Sequence, residues 1–279
     1  MTGAALRVRE HGTSGWPRVI VLHGGPGGAG EATPLAEGLG RWFSVLEPWQ
    51  RGSGGERLTV ARHVADLHEV VLGCGQARPA LVGHSWGAML ALSYAALHPG
   101  AAGPLVLVGC GTYDEASRAQ IGSTLGDRVD VDVEAAFDDL VSIADPVRRA
   151  LRRHELIERL YAYEPDDTLP RPEIELDERA QDETWSDVVR LQAERIEPQR
   201  FSAITGPVLM VHGVHDPHPG AMIRDTLRAV MPQLEYRELA RCGHTPWIER
   251  HARDEFFAVV REWLVRHETT GVRRADGDA

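Results

Sequence analysis

The sequence predicts an α/β protein with a mostly parallel central sheet, helices on both faces of that sheet and a helical insertion. Short, continuous apolar runs at 18–22, 79–82, 105–108 and 207–211 favour strands that are buried on both faces. Helical patterns separate these runs, and strands that alternate with helices are typical of a parallel sheet. The alternation stops at 113–200, which contains no convincing strand and favours helices inserted between two core strands.

The first part of the predicted core alternates strands with helices up to residue 108. Its elements are, in order, a strand at 18–22, a strand at 43–47, a helix at 59–72, a strand at 79–82, a helix that ends at 98–100 and a strand at 105–108. The first of these strands stops at the glycine-rich segment 23–28. The helix at 59–72 begins at Thr59, whose hydroxyl can cap it, and ends at Gly73.

The second part of the core resumes the same alternation after the insertion. Its predicted elements are a strand at 207–211, a helix at 221–230, a strand at 234–239 and a final helix at 247–266. The polar tail that follows predicts disorder. We therefore divide the chain into a first core part at 1–112, a helical acidic cap at 113–200, a second core part at 201–267 and a disordered tail at 268–279.

The negative charge of the chain is concentrated in the cap. Residues 112–200 contain 23 acidic residues (Asp and Glu) and 12 Arg, a net charge of −11. The rest of the chain contains 18 acidic residues and 18 Arg, so its net charge is zero. This distribution argues against nucleic acid as a partner, because the phosphate backbone would be repelled. The acidic segment is interpreted mainly as a solvated helical surface, although it would also attract a cationic substrate.

Composition narrows the cellular context. The 279 residues include no apolar run of eighteen, and the N-terminus lacks a basic segment followed by an apolar one, so we expect neither a membrane span nor a signal peptide. The three cysteines, Cys74, Cys110 and Cys242, have no framework spacing and favour a reducing compartment. We predict a cytoplasmic protein without structural disulfides or a membrane partner.

The segment Gly83-His84-Ser85-Trp86-Gly87 carries the strongest functional signal. It follows a predicted strand and precedes a helical pattern, which is the context of a nucleophile elbow. Side chains two positions before and after Ser85 would collide in so sharp a turn, and glycine occupies both positions. The pattern therefore predicts Ser85 as a nucleophile at the start of a helix.

A serine needs a base to take its proton and an acid to orient that base. Asp216 lies just past the strand at 207–211, and His244 lies between the strand at 234–239 and the last helix. The order Ser85, Asp216, His244 is that of α/β-hydrolase triads, and all three lie at predicted carboxyl ends of strands. We predict these three as the catalytic residues.

Attack on an acyl carbon also requires two N–H donors for the oxyanion. The backbone N–H of Trp86, next to the nucleophile, is one candidate. The loop after the first strand supplies the other, because its glycines let the backbone approach the substrate closely. We assign Gly25 as that donor.

Three motifs resemble those of Ser-dependent α/β-hydrolases, and in particular those of the prolyl iminopeptidase branch. They are His23-Gly24-Gly25-Pro26-Gly27-Gly28, Gln50-Arg51-Gly52-Ser53-Gly54 and Gly83-His84-Ser85-Trp86-Gly87. The Gly-Gly-Pro-Gly loop and Trp86 are the branch-specific parts. The resemblance implies an α/β-hydrolase fold, no cofactor, and cleavage of a small-molecule or short-peptide substrate. It covers the core and not the insertion.

The chain departs from that branch at two positions and in the cap. Trp49 stands where the branch usually has Asp before Gln-Arg-Gly, and His84 stands where it usually has Gly. Family members grip the free amino group of the substrate with Glu residues of the cap, and no single Glu here aligns with those positions. Aminopeptidase specificity therefore does not follow from the resemblance.

Several alternatives remain beside the aminopeptidase-like hydrolase. A carboxylesterase or lactonase would use the same residues without an amine requirement, and a receptor-like protein, a lyase or a cofactor-free oxidoreductase could share the fold. Epoxide-hydrolase and dehalogenase chemistry is disfavoured, because the elbow residue would be Asp. His212, His215 and His218 lie near Asp216, but we assign no metal, since Asp216 already has a role in the triad. The oligomeric state stays open.

Overall fold

Seven strands form the central sheet of the computed structural model, which describes residues 6–268. The strand order is β1-β4-β2-β5-β6-β8-β9, and every neighbouring pair is parallel except β1 with β4. The strands are β1 (Val8–His11), β2 (Arg18–Leu22), β3 (Gly28–Ala29), β4 (Ser44–Pro48), β5 (Ala80–His84), β6 (Leu105–Val108), β7 (Glu175–Leu176), β8 (Val208–Gly213) and β9 (Glu235–Leu239). The prediction of a mostly parallel sheet is confirmed.

Nine α-helices occur in the described part of the chain. They are α1 (Thr33–Leu39), α2 (Val60–Gly73), α3 (Trp86–Leu97), α4 (Glu115–Gly126), α5 (Val131–Asp138), α6 (Pro146–Tyr161), α7 (Glu178–Ala193), α8 (Gly220–Arg228) and α9 (Arg253–Glu268). The predicted cap of α2 is confirmed, because the Thr59 hydroxyl accepts a hydrogen bond of 3.2 Å from the backbone N–H of Arg62.

Two apolar layers cover the two faces of the sheet. Successive side chains of β2 point to opposite faces, so Ile20 and Leu22 pack with α2, α3 and α8. Val19 and Val21 point the other way and pack with α1 and α9. Burial on both sides explains why the strands are apolar at every position rather than at alternate ones.

The chain between β6 and β8 is mainly helical and contains α4, α5, α6 and α7. It also contains the two-residue strand β7, which pairs antiparallel with β3 in the glycine-rich loop after β2. No apolar pattern predicts β7, because its pairing is with a segment almost 150 residues away. The domain boundaries at 112/113 and 200/201 stay a prediction.

Acidic side chains at the start of α7 and along it fasten this helix to the core. Asp177 accepts a hydrogen bond of 2.7 Å from the backbone N–H of Ser53. Further along, the carboxylate of Asp187 accepts one of 2.9 Å from the N–H of Val60 at the start of α2. The first N–H groups of a helix have no acceptor within that helix, so the carboxylate of Asp187 satisfies a donor at the start of α2 that would otherwise be unpaired.

The structure departs from the predicted elements at the final helix and at the edge strand β1. The final helix begins at Arg253 rather than residue 247, because Pro246–Ile248 forms a separate 3-10 turn. The edge strand β1 carries polar and apolar residues alike and lacks a buried run. The predicted disordered tail lies outside the described residues except for residue 268, which ends α9. Among the described helices, none has the length and apolar character needed to traverse a bilayer.

Candidate active site

Ser85 occupies a sharp turn between β5 and α3. Its φ of 51° and ψ of −115° are unusual for a residue with a side chain, and its N–H donates to Val108 O at 2.8 Å. A Cβ on Gly83 would lie 2.2 Å from the carbonyl oxygen of Gly87. A Cβ on Gly87 would lie 2.3 Å from the carbonyl oxygen of Leu22. Both glycines are therefore needed for the close backbone approach that the sequence pattern predicts.

Asp216 and His244 meet at the carboxyl ends of β8 and β9. The Nδ1–H of His244 donates to Asp216 Oδ2 over 2.7 Å, and both side chains are buried. The N–H of His244 donates to Tyr161 O at the end of α6 over 3.0 Å, which ties its loop to the helical segment. Because a carboxylate can only accept, Nδ1 carries the proton and Nε2 keeps its lone pair.

The ionisation of this pair suits acid–base chemistry at neutral pH. Burial raises the pKa of Asp216, but the imidazoles of His244, His212 and His218 outweigh it and hold that pKa well below its ordinary value. Burial lowers the pKa of His244 to about 4, against the opposing effect of Asp216. At pH 7 the carboxylate is therefore charged and the imidazole is neutral and able to accept a proton.

Ser85 and His244 line one cavity of about 390 Å³, together with the predicted oxyanion donors Gly25 and Trp86. Trp86 is the first residue of α3, where a backbone N–H has no acceptor within the helix. Side chains from α4, α6 and α7 form the opposite wall: Arg118, Ile121, His154, Ile157, Glu158, Tyr161, Gln181 and Trp185. The core thus contributes the candidate chemistry and the insertion contributes most of the remaining wall.

A larger cavity of about 860 Å³ lies beside Trp49, between Ser53 and Val147. None of Ser85, Asp216 and His244 lines it. The smaller cavity is the candidate site because Ser85 and His244, the predicted nucleophile and base, both line it.

Hydrogen bonds join the three sequence motifs into one support for the candidate oxyanion site. The indole N–H of Trp86 donates to Gln50 Oε1 over 2.7 Å, and the side-chain amide of Gln50 donates to His23 O over 3.0 Å. Arg51 in turn makes two hydrogen bonds, of 2.8 and 2.7 Å, to Asp66 on α2. The Gln-Arg-Gly motif therefore connects the elbow to the loop that carries Gly25.

His84, one departure from the branch, forms part of the site's buried support. Its Nε2 donates to His244 O over 3.1 Å, and its Nδ1 lies 2.8 Å from Glu31 Oε1. Burial raises the pKa of Glu31, but the nearby His84 outweighs that effect and brings this pKa down to about 2. The cavity wall therefore carries a charged carboxylate that the sequence pattern does not identify.

Trp49, the other departure, does not line the candidate cavity around Ser85. The guanidinium groups of Arg7 and Arg9 lie 4.0 and 4.2 Å from its ring centroid. These arginines also pair with Glu175 and Glu173, each at 3.4 Å. Trp49 therefore takes part in joining the edge strand β1 to the segment around β7 through cation–π contacts.

Two further groups line the cavity without being singled out by the sequence as catalytic. Glu158 on α6 is partly buried, and burial raises its pKa. His218 hydrogen-bonds to Asp216 and stacks on His244. Ligand atoms of Asp216, His218 and His244 all lie within 4.8 Å of one another, so their spacing could accommodate a metal. Both carboxylate oxygens of Asp216 already accept hydrogen bonds from the two imidazoles, however.

Residues 17–250 match the family model described as the alpha/beta hydrolase fold. Over 163 residues the chain is 32% identical to a probable proline iminopeptidase of Streptomyces coelicolor, a match that covers 47% of this chain and 49% of that protein. Over 106 residues it is 37% identical to epoxide hydrolase A of Mycobacterium tuberculosis, covering 34% and 32% respectively. The chain thus spans half or less of the length of these curated relatives.

A solved structure of an N-acyl homoserine lactone degrading enzyme superimposes on most of the chain. The TM-score is 0.61 with 20% sequence identity, and the match covers 92% of this chain and 96% of that one. At this level of identity the likeness concerns the fold.

Proposed function

The chain belongs to the α/β-hydrolase family, and from that premise we propose that it is a serine hydrolase acting on an ester or amide bond of a small substrate. One observation carries the proposal. The bond of 2.7 Å between His244 Nδ1 and Asp216 Oδ2 leaves the lone pair of Nε2 in the protein's cavity that contains Ser85. A neutral imidazole oriented by a charged carboxylate is the base that a serine nucleophile needs.

In the proposed reaction, Ser85 Oγ attacks the acyl carbon while His244 Nε2 accepts its proton. Asp216 stabilises the imidazolium that forms. The N–H groups of Gly25 and Trp86 donate to the oxyanion of the tetrahedral intermediate. His244 then gives its proton to the leaving group, and water, activated by the same imidazole, releases the acyl group from Ser85.

We favour a substrate that carries a free amino group, as in a prolyl aminopeptidase. The charged carboxylate of Glu31 and the carboxyl group of Glu158 line the cavity that holds Ser85, so an ammonium group bound there would meet negative charge. The similarity to a probable proline iminopeptidase supports the same substrate class.

The second candidate is a carboxylesterase or lactonase. Met89, Ile121 and Ile157 give the cavity an apolar part that would suit an acyl chain without an amine, and the fold is shared with a lactone-degrading enzyme. Epoxide-hydrolase chemistry is less suited to this chain despite the similar relative, because Ser85 occupies the elbow position.

Labelling with a fluorophosphonate tests the nucleophile. We expect the reagent to modify folded wild-type protein at Ser85 and to leave the Ser85→Ala variant unmodified. Turnover should fall by at least about 10³-fold in that variant, since the nucleophile and its base act as a unit. A folded wild-type protein that resists labelling would rule out the serine hydrolase.

The substrate class is tested by comparing prolyl p-nitroanilide with short-chain p-nitrophenyl esters. We expect Glu158→Gln to lower kcat/KM for the anilide by about tenfold and to leave ester turnover unchanged, because only the anilide has an ammonium group to bind. Glu155→Gln, on the same helix, is the matched control. Turnover of esters alone, with no effect of a free amine, would favour the esterase.

A further inference from the structure

Two imidazoles share the Asp216 carboxylate. His244 Nδ1 donates to Oδ2 over 2.7 Å, and His218 Nδ1 donates to Oδ1 over 2.9 Å. The backbone N–H of His218 also donates to Oδ1, over 2.9 Å. Because the carboxylate only accepts, both neutral rings carry their proton on Nδ1. His218 thus adopts the tautomer of the candidate base and lines the cavity of Ser85.

The His218 ring also packs directly on that base. The ring centroids of His218 and His244 are 4.5 Å apart, and their planes are inclined by only 14°. Tyr161 flanks both rings, with centroids 5.7 Å from His218 and 5.3 Å from His244. Rotation of His244 away from Asp216 would break this stack as well as the hydrogen bond.

His212, at the end of β8, holds the segment that carries His218. Its Nε2 donates to His218 O over 2.9 Å and lies 3.2 Å from Asp216 Oδ2. These contacts keep the backbone of His218 beside the carboxylate. The buried side chain of His212 at the end of β8 therefore helps to fix the position of the His218 imidazole.

We propose that His218 is a positioning residue for the reaction: it holds the Asp216 carboxylate and the His244 ring in place and extends to lower pH the range in which His244 acts as a base. This inference rests on the proposed serine-hydrolase function. It assigns His218 no contact with the reacting atoms.

Two electrostatic effects of His218 act in the same direction. When protonated, it places a positive charge against His244 and disfavours a second imidazolium, which is one of the causes of the lowered pKa of His244. Its hydrogen bond to Asp216 Oδ1 also partly neutralises the carboxylate, which then stabilises a protonated His244 less. Loss of His218 should therefore raise the pKa of His244.

The other groups around His218 do not reverse this expectation. The groups that face it are Asp216, His212, His244 and Tyr161. Arg128 adds positive charge near Asp216 from the helical segment. It donates to the carbonyl oxygens of Leu160 and His215, each over 2.6 Å. A change at position 218 alone replaces none of these other groups.

Two variants separate the hydrogen bond of His218 from its stack. His218→Phe keeps a ring against His244 but removes the donor, whereas His218→Asn keeps an N–H donor at the δ position but removes the ring. The measurement is the pH dependence of kcat/KM with a p-nitrophenyl ester, and the labelled fraction of Ser85 gives the amount of active protein. His251→Phe, at a partly exposed histidine paired with Glu164, is the control.

In His218→Phe we expect the acid limb of the profile to move to higher pH by about one unit, with a loss of about fivefold in kcat/KM at pH 4. His218→Asn should show a smaller shift, and His251→Phe none. If both position-218 variants keep the wild-type acid limb, the inference is wrong, whatever their overall activity. Should the Phe variant not fold, the presence or absence of a shift in the Asn variant decides whether the inference holds.

Ser85→Ala is the separate test of the proposed function: if that variant keeps wild-type turnover, the proposed serine-hydrolase function is wrong.

Discussion

The backbone of Ser85 lies in a conformation that side-chain-bearing residues rarely adopt, with φ at 51°. The surrounding packing maintains it. β5 leads in and α3 leads out. A Cβ on Gly83 would collide with the backbone of Gly87 at the start of α3, and a Cβ on Gly87 would collide with the backbone of Leu22 in the neighbouring strand β2. The strain at one residue is thus sustained by two neighbours that carry no side chain.

Gly83→Ala should destabilise the fold by about 3 kcal/mol or more, because its Cβ would lie 2.2 Å from a backbone oxygen and the backbone would have to shift. The free energy of unfolding from urea denaturation measures the effect. Gly100→Ala is the matched control, since a Cβ there meets nothing within 4 Å. Equal stabilities of the two variants would contradict the packing argument.

The buried His244 should give the enzyme an acid limb well below the ordinary histidine range. Its pKa, lowered by burial to about 4, keeps the imidazole neutral down to that pH, and activity is lost only as the pH falls through it. The pH profile of kcat/KM checks this, with tryptophan fluorescence recorded in parallel to detect acid unfolding. A limb near pH 6.5 in folded protein would show that burial does not lower the pKa of the base.

At the scale of the element, α7 shows that part of the acidic surface has a structural use. Carboxylates of Asp177, Glu183 and Asp187 accept hydrogen bonds from backbone N–H groups of Ser53, Leu58 and Val60 respectively. Since these donors lie in the loop before α2 and at its start, α7 packs against the core through polar contacts as well as apolar ones. The acidic residues of this helix are thus partly explained by the backbone N–H groups of the core that they accept hydrogen bonds from.

Asp187→Ala should lower the free energy of unfolding by about 1–3 kcal/mol, because the buried N–H of Val60 loses its acceptor. Asp187→Asn keeps an oxygen acceptor and should lose less. Asp182→Ala, at an exposed position of the same helix, should have little effect. Thermal or urea denaturation measures all three, and a loss in Asp182→Ala as large as in Asp187→Ala would refute the docking role.

At the scale of the whole molecule, a core without net charge and an acidic helical segment contribute different parts of the candidate site. The core carries Ser85, Asp216, His244 and the candidate oxyanion donors, whereas α4, α6 and α7 supply most of the facing cavity wall. The net charge of −11 belongs to residues 112–200. If the substrate carries a positive charge as proposed, its recognition would rest mainly on the insertion, with Glu31 as the contribution of the core.

If the negative charge of the insertion attracts an amine-bearing substrate, added salt should screen that attraction and slow the binding of the substrate. Raising the salt concentration from about 0.02 to 0.5 M shortens the screening length from roughly 20 to 4 Å. We expect kcat/KM for prolyl p-nitroanilide to fall over this range and that for a neutral ester to stay constant. The same salt dependence for both substrates would show that the charge of the acidic segment does not attract the substrate.

Local patterns in the sequence determined the main elements and the strand–turn–helix geometry of the elbow. The strands at 18–22 and 105–108 have the predicted bounds, and Thr59 caps α2, because burial on both faces and helix capping depend on neighbours in the chain. Gly83 is likewise explained by a contact within the strand–turn–helix, whereas Gly87 is explained by its contact with Leu22 in the neighbouring strand β2. The order of Ser85, Asp216 and His244 allowed their grouping to be predicted without a structure.

Only the tertiary structure decided which distant groups meet. The pairing of β3 with β7, the contact of Glu31 with His84 and the stack of His218 on His244 join residues whose separation in the chain carries no periodic signal. His218 invited a metal interpretation from its spacing, yet it lies beside the candidate base as a hydrogen-bond donor to the same carboxylate. Such contacts depend on how strand ends and the inserted helices converge, and local sequence does not encode that convergence.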